Sequence, residues 1–132
     1  MKPKAIVFDL DWTLCEMKPD SELNNHTGDE KSIEQIVYLA QSLLQLDHIK
    51  VIVMTGRKSK YLLITISWLE RHWIPVEIIM QTKWTADKTH IYKEKELVKL
   101  QERYDIVAMV DDNCGLIPVC KKLGILLLQI HR

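Results

Sequence analysis

The sequence predicts an α/β fold, a Rossmann-like three-layer sandwich around a five-stranded, mainly parallel sheet. Three observations predict it. Short apolar runs alternate with longer stretches of helical period, five such runs occur, and the stretches between them read as helices. Right-handed crossovers then place helices on both faces of the sheet.

Taken in order, Lys4–Leu10 reads as the first strand. Ser32–Leu46 reads as a helix, with Ser32 and Gln35 forming a capping box and Ile33, Ile36, Val37, Ala40 and Leu44 forming its apolar face. Ile49–Met54 is the second strand, and Ser59–His72 a helix stopped by Pro75. Val76–Met80 is the third strand and Thr89–Arg103 the next helix. Ile106–Val110 is the fourth strand, Gly115–Leu123 a short helix, and Ile125–Gln129 the fifth strand. The long irregular stretch is Cys15–Lys31, polar and holding Pro19, Asn24, Asn25 and Gly28. It reads either as a mobile loop near a site or as a disordered connection. There is no internal repeat and no low-complexity segment.

A length of 132 residues fits one domain spanning 1–132 with a single sizeable core. Eighteen basic residues balance eighteen acidic ones, which excludes a broad basic footprint for duplex nucleic acid. Cys15, Cys114 and Cys120 are odd in number and lack the spacing of a zinc site, which fits a reducing cytoplasm. The start lacks a signal-peptide core, and apolar stretches such as YLLITISWL fall short of the roughly 18 residues that a membrane span needs. The expectation is a soluble cytoplasmic protein. The histidines show no ligand spacing and read as surface or incidental residues; Cys114 reads as structural.

Ligands of open parallel sheets bind beyond the carboxyl ends of the strands. Asp9 and Asp11 close the first strand, Thr55, Gly56 and Arg57 the second, and Asp111 and Asp112 the fourth, so all of them fall on one rim. Asp9 and Asp11 are two apart and point the same way on an extended backbone. Four carboxylates this close repel unless a cation sits among them or some stay protonated. Oxygen-only ligands favour a hard ion, Mg²⁺, which shares the substrate's phosphate and so points to phosphoryl chemistry. A hydroxyl, a closely approachable backbone N–H and a guanidinium suit phosphate oxygens. An aspartate can serve as nucleophile, and a second carboxylate as acid and base.

These residues carry a resemblance. FDLDWT (8–13) resembles the DxDxT signature of the haloacid-dehalogenase (HAD)-like phosphohydrolases, IVMTGR (52–57) their second motif, and AMVDDN (108–113) their acidic fourth motif. Within that superfamily, KPKAIVFDLDWTLCEM, VIVMTGR, IIMQ, YKEKEL and VDDN…KKLGI are similar to the 3′-phosphatase domain of phage polynucleotide kinase-phosphatase over most of the chain. The resemblance implies Asp9 as nucleophile and magnesium ligand. Asp11 would be the acid and base, its main-chain carbonyl also on the metal. Thr55 would bind phosphoryl oxygens, and Asp111, supported by Asp112, would complete the metal site. Leu10, Gly56, Arg57 and Trp12 complete the expected substrate- and phosphate-binding set.

The family also implies a lysine that steadies the phosphorylated intermediate. Lys83, Lys88 and Lys93 are candidates. Lys93, Leu97, Leu100 and Tyr104 step by four, three and four, which puts Lys93 on an inward helix face; the similarity selects the same residue, with Lys88 next. The rest of the KEKE run reads as a solvated face. The chain departs from the phage domain at Trp12, where that domain has glycine, and at Thr89, where it has an acid. Trp12 and Trp84 either stack on a nucleobase or pack on neighbouring helices.

No cap domain fits between Leu14 and Ser32 or between Arg57 and Lys93. An uncovered site suits the end of a large molecule, such as a nucleic-acid 3′-phosphate, or a nucleotide. A small-molecule or phosphoprotein phosphatase is the alternative. Neutral charge implies contact with few phosphates and weak, salt-sensitive binding. A receiver-like phospho-aspartate switch is disfavoured, because the acids are spaced DxD and IIMQ ends the third strand without an aspartate. No GxxxxGK[ST] phosphate loop is present, so no kinase activity is expected to accompany the site; the chain works either alone or beside a separate kinase or ligase.

Overall fold

The computed structural model describes residues 1–18, 26–81 and 88–131. Pro19, Asn24, Asn25, Lys83 and Trp84 lie outside them. The elements run β1 (Lys4–Phe8), α1 (Glu34–Leu44), β2 (Ile49–Lys58), a 3₁₀ turn (Ser59–Tyr61), α2 (Leu62–Arg71), β3 (Glu77–Gln81), α3 (Thr89–Gln101), β4 (Asp105–Asp111), α4 (Leu116–Leu123) and β5 (Leu126–Gln129). The five strands form one sheet in the order β3-β2-β1-β4-β5. Every pairing is parallel, so the expected "mainly parallel" sheet is wholly so.

The apolar pattern places the core. Successive residues of a strand face opposite sides, and a strand buried on both faces reads as a continuous apolar run. Ala5 and Val7 of β1 join Ile52, Met54, Leu97, Leu100, Met109 and Leu116 in one cluster, beneath α3 and α4. Phe8 joins Val37, Ala40, Val51, Val53, Trp68 and Val110 in the other, beneath α1 and α2. The central strand β1 thus lies between β2 and β4, with Phe8 level with both Val53 and Val110. The three strand ends that carry the acids and the hydroxyl are immediate neighbours.

Several boundaries differ from expectation: β1 ends at Phe8 and not Leu10, the helix expected from Ser59 opens with a 3₁₀ turn, other ends shift by one to three residues, and two of the differences have a visible cause. α1 begins at Glu34, its N-cap is Ile33, and no side chain caps it, so the Ser32–Gln35 box does not form. Ser32 is drawn instead into an antiparallel bridge with Cys15, and Ile33 N–H donates to the Leu14 carbonyl at 2.8 Å. Tethering to the loop after β1 outweighs local capping there. β2 continues past Met54 to Lys58, because its register against β3 shifts between Thr55 and Lys58 and so absorbs the Gly56–Arg57 turn as an irregularity.

α2 stops before Pro75 as expected, through a left-handed residue: Trp73 has φ +58°, and Ile74 N–H reaches back to the Leu69 carbonyl at 2.9 Å. Glycine ordinarily takes that position. Trp73 is 79% exposed, so little packing offsets the strain. Trp73→Gly is expected to raise stability by about 0.5–1 kcal/mol, a rise of a few degrees in Tm on thermal unfolding. Among the described residues no helix is long and apolar enough to cross a membrane.

Candidate active site

The ladder between β1 and β4 runs one residue past β1, since Asp9 N–H donates to the Val110 carbonyl at 2.8 Å. The chain then folds tightly: the Leu10 carbonyl accepts from the N–H groups of Thr13, Leu14 and Cys15. This turn buries the Leu10 side chain in the core and leaves Asp9, Asp11 and Trp12 on the rim of a cavity of about 470 Å³. Gly56, Arg57, Lys93, Asp111 and Asp112 line the same cavity. The parallel topology therefore brings nearly all the expected residues together. Leu10 and Thr55 lie beneath the surface, both buried.

At the centre is a buried cation between two buried acids. Lys93 Nζ lies 2.8 Å from Asp9 Oδ1 and 2.6 Å from Asp111 Oδ2. The second oxygens are also engaged: Thr13 Oγ1 donates to Asp9 Oδ2 at 3.0 Å, and Asn113 N–H donates to Asp111 Oδ1 at 3.0 Å. Lys93 is only 1% exposed, and Leu97 and Leu100 on the same helix face are buried with it, as the four-three spacing predicts. Burial works against its charge, but Asp9 and Asp111 outweigh that and raise its pKa, so it stays an ammonium. Burial pushes Asp9 up to about 6; Lys93 opposes the rise, while Asp111 and Asp11 add to it.

Carboxylate oxygens of Asp9, Asp111 and Asp112 all lie within 4.8 Å of one another. An all-oxygen set of that size fits a hard divalent ion. The Asp11 carboxylate is not in this group; it is held elsewhere.

Asp11 is gripped by Arg57. Nε donates to both carboxylate oxygens, at 3.2 and 3.1 Å, and Nη2 donates to Oδ1 at 2.7 Å. Arg57 itself is 4% exposed. Its Nη1 donates to Thr65 Oγ1 at 3.1 Å, and its Nη2 lies 3.7 Å from Glu30 Oε1. Burial disfavours the guanidinium charge, but the Asp11 contacts overcome this and raise its pKa further. Arg57, expected to contact substrate, is thus committed to the neighbouring carboxylate. Thr55 accepts the Arg57 backbone N–H at 3.1 Å and so shapes the turn that aims that side chain. A Cβ on Gly56 would lie 3.3 Å from the Thr89 side chain, so a bare backbone is what lets β2 and α3 approach here.

No periodicity or motif marks the next layer. Glu30 and His26, from the far end of the polar stretch after β1, are both buried; His26 Nδ1 is 3.9 Å from Glu30 Oε1, and its ring meets Tyr61 edge-on at 4.8 Å. His26 is therefore no surface histidine. Burial, with Arg57 adding, lowers its pKa. Trp68 Nε1 donates to the Glu30 carbonyl at 2.8 Å and fixes this segment to α2. Cys15 Sγ sits 3.6 Å from Asp11 Oδ1, and burial next to that carboxylate raises its pKa well above the ordinary thiol value. Cys114, expected to be structural, is exposed and lines the cavity, because the turn after β4 carries it outward.

Trp12 follows Asp11 with φ +62°. A bulky side chain in this left-handed region costs about 1–2 kcal/mol relative to glycine.

Residues 3–132 match the family described as "Polynucleotide kinase PNKP phosphatase domain". The chain belongs to the PNKP phosphatase-domain family. Its members are HAD phosphatases, and the fold agrees. A structure described as "Structure of the Pnkp1/Rnl/Hen1 RNA repair complex" is similar with a TM-score of 0.86 at 21% identity, covering 98% of this chain and 42% of that one. A second, "Structure of Pnkp1/Rnl/Hen1 complex", gives 0.82 at 22% identity, covering 98% and 46%. The HAD domain of the effector protein Lem4 from Legionella pneumophila gives 0.59 at 12% identity, covering 98% and 86%. At these identities the likenesses show the HAD fold. The PNKP-family chain spans less than half of the two RNA-repair chains it resembles.

Proposed function

We propose that this PNKP-family phosphatase domain is a Mg²⁺-dependent phosphomonoesterase that works through an aspartyl-phosphate on Asp9 and removes 3′-phosphates from nucleic-acid ends or nucleotides. The observation that carries the reading is the gathering of Asp9, Asp11, Asp111 and Lys93 on the wall of one cavity. Asp9 is fixed by an ammonium and a hydroxyl, whereas Asp11, two residues on, is fixed by a guanidinium. In the first step Asp9 attacks phosphorus and the P–O bond to the leaving group breaks, with Asp11 giving that oxygen its proton. In the second, Asp11 takes a proton from water, the water oxygen bonds to phosphorus, and the Asp9–phosphate bond breaks. Lys93 offsets the charge that Asp9 carries before and after transfer. Asp9, Asp111 and Asp112 would hold Mg²⁺, which when bound supplies positive charge to the transferring phosphoryl group.

The nucleic-acid assignment is supported by the family and by the likeness to chains described as part of an RNA repair complex. The same likeness supports action beside a ligase. The test is phosphate release with Mg²⁺ from one oligonucleotide carrying either a 3′- or a 5′-phosphate, with Asp9→Asn as the control. Release from the 3′ end alone, abolished in the variant, is expected. Release from neither end, by protein that still hydrolyses an aryl phosphate, would move the substrate to small molecules or phosphoproteins.

Metal binding gives a second test. With Asp9 raised to about 6, protons compete with Mg²⁺ for its carboxylate at acid pH. Apparent Mg²⁺ affinity is expected to be level near neutrality and to weaken by about tenfold per pH unit on the acid side. Calorimetric titration at several pH values checks this, and an affinity unchanged down to pH ~5 would contradict a metal ligand at Asp9 with a raised pKa.

A further inference from the structure

We infer that Glu30, from the polar stretch after β1, is a positioning residue for the reaction: with Thr65 it fixes the plane of the Arg57 guanidinium, and through it aims the Asp11 carboxyl at the leaving oxygen. The inference rests on the phosphatase reading above. It extends that reading to a residue behind the cavity wall, since Arg57 and Asp11 line the cavity and Glu30 does not.

A guanidinium is a rigid planar fork, so its partners decide where its donors point. The Nε–Nη2 edge of Arg57 holds Asp11, with Nη2 2.7 Å from Oδ1. On its other sides Nη1 donates to Thr65 Oγ1 at 3.1 Å, and Glu30 Oε1 lies 3.7 Å from Nη2. Among the described residues, the side chains that hold the Asp11 carboxylate are Arg57 and the Cys15 thiol, so the carboxylate follows the guanidinium.

Glu30 is fixed independently of Arg57. Its side chain is fully buried, its Oε1 accepts the Gly28 N–H at 3.4 Å, and its carbonyl accepts Trp68 Nε1–H at 2.8 Å. The flanking backbone is tied to the turn after β1, where Glu16 N–H donates to the Lys31 carbonyl and Ile33 N–H to the Leu14 carbonyl, both at 2.8 Å. Thr65 and Trp68 both belong to α2, so one helix steadies both supports of Arg57. A second buried carboxylate beside an arginine that already has one is seldom the most stable way to fill a space. Its use lies in the cycle. In the reaction proposed above, Asp11 passes a proton to the leaving oxygen as the P–O bond breaks and regains one from water. Its charge therefore comes and goes beside the guanidinium, whereas Glu30 keeps a counter-charge there throughout.

The experiment compares kcat/KM, with Mg²⁺, for two alkyl esters (adenosine 3′-monophosphate and glycerol 2-phosphate) and for p-nitrophenyl phosphate. An alkoxide needs a proton to leave; p-nitrophenolate departs without one. The full chain is set beside Glu30→Gln, which keeps the shape and the Gly28 contact but removes the charge, and beside Thr65→Val. Asp11→Asn shows what loss of the proton donor itself looks like. Glu30→Gln is expected to lower kcat/KM for the alkyl esters by on the order of tenfold, a part of what a placed general acid contributes, and to leave p-nitrophenyl phosphate within about threefold. Thr65→Val should give the same selective loss. The ratio of the two substrate types does not depend on how much of a preparation is folded, so a purely structural role would not move it. An equal loss on both types in both variants, down to no activity at all, overturns the inference, as does an unchanged rate on the alkyl esters. Failure of the phosphatase reading is separate, since the unmodified chain would then hydrolyse none of the three.

Discussion

Lys93→Met is expected to cost the fold about 3–5 kcal/mol, because it leaves two buried carboxylates without their cation. Methionine keeps most of the stem that packs beside Leu97, so the loss is one of charge and not of volume. Asp111 is fully buried and Asp9 nearly so, and neither can recover its hydration by moving. For a chain of this size that is a fall in Tm of about 10–20 °C. The pH dependence distinguishes this cause from general misfolding. Unpaired buried carboxylates have raised pKa values, so the folded variant binds more protons than the unfolded chain, and its stability rises as pH falls through that window. Mg²⁺ should return part of the lost stability, since it meets the same oxygens. Turnover should drop by roughly 10²–10³, the usual consequence of removing one fixed charge from a reacting centre. A Tm within a few degrees of the parent at neutral pH would contradict the buried triad.

Arg57→Lys is expected to behave almost as badly as Arg57→Met, with kcat lowered by about 10² and KM little changed. An ammonium cannot meet both Asp11 oxygens and Thr65 together, as the guanidinium fork does. The split between the two constants is the informative part. A side chain that held the substrate phosphate would raise KM when shortened; one that aims Asp11 lowers the rate of the step Asp11 serves. Steady-state kinetics on both variants decides between these, and a rise in KM alone would return Arg57 to the substrate.

The rim was legible because it depends on rules that a sequence carries openly. Apolar runs locate strands, a parallel sheet aligns their carboxyl ends, and the acids fall where the runs stop. Lys93 was legible from its spacing with Leu97, Leu100 and Tyr104. The partner of Arg57 was not, because its contact with Asp11 joins residues 46 apart and depends on how the turn at Thr55 and Gly56 is aimed. Glu30 and His26 sit in a polar stretch with no periodicity, so their burial follows only from the docking of that segment against α2. Ser32 shows local pattern losing to a tether: the capping signature is present, but the bridge to Cys15 holds the residue extended. The left-handed backbone at Trp12 is a property of the turn after β1 and not of the residue that occupies it.

The central place of β1 has a consequence for how the protein is made. A ribosome reaches Lys93, the counter-charge of Asp9, only 84 positions after Asp9 itself. At usual elongation speeds that is a delay on the order of ten seconds. Until β4 and α3 emerge, β1 has one bare edge and Asp9 has no cation beside it. The open edge of such a nascent chain makes it a target for chaperones and proteases. The pairing of Asp9 with Lys93 therefore waits until α3 has followed β1 off the ribosome.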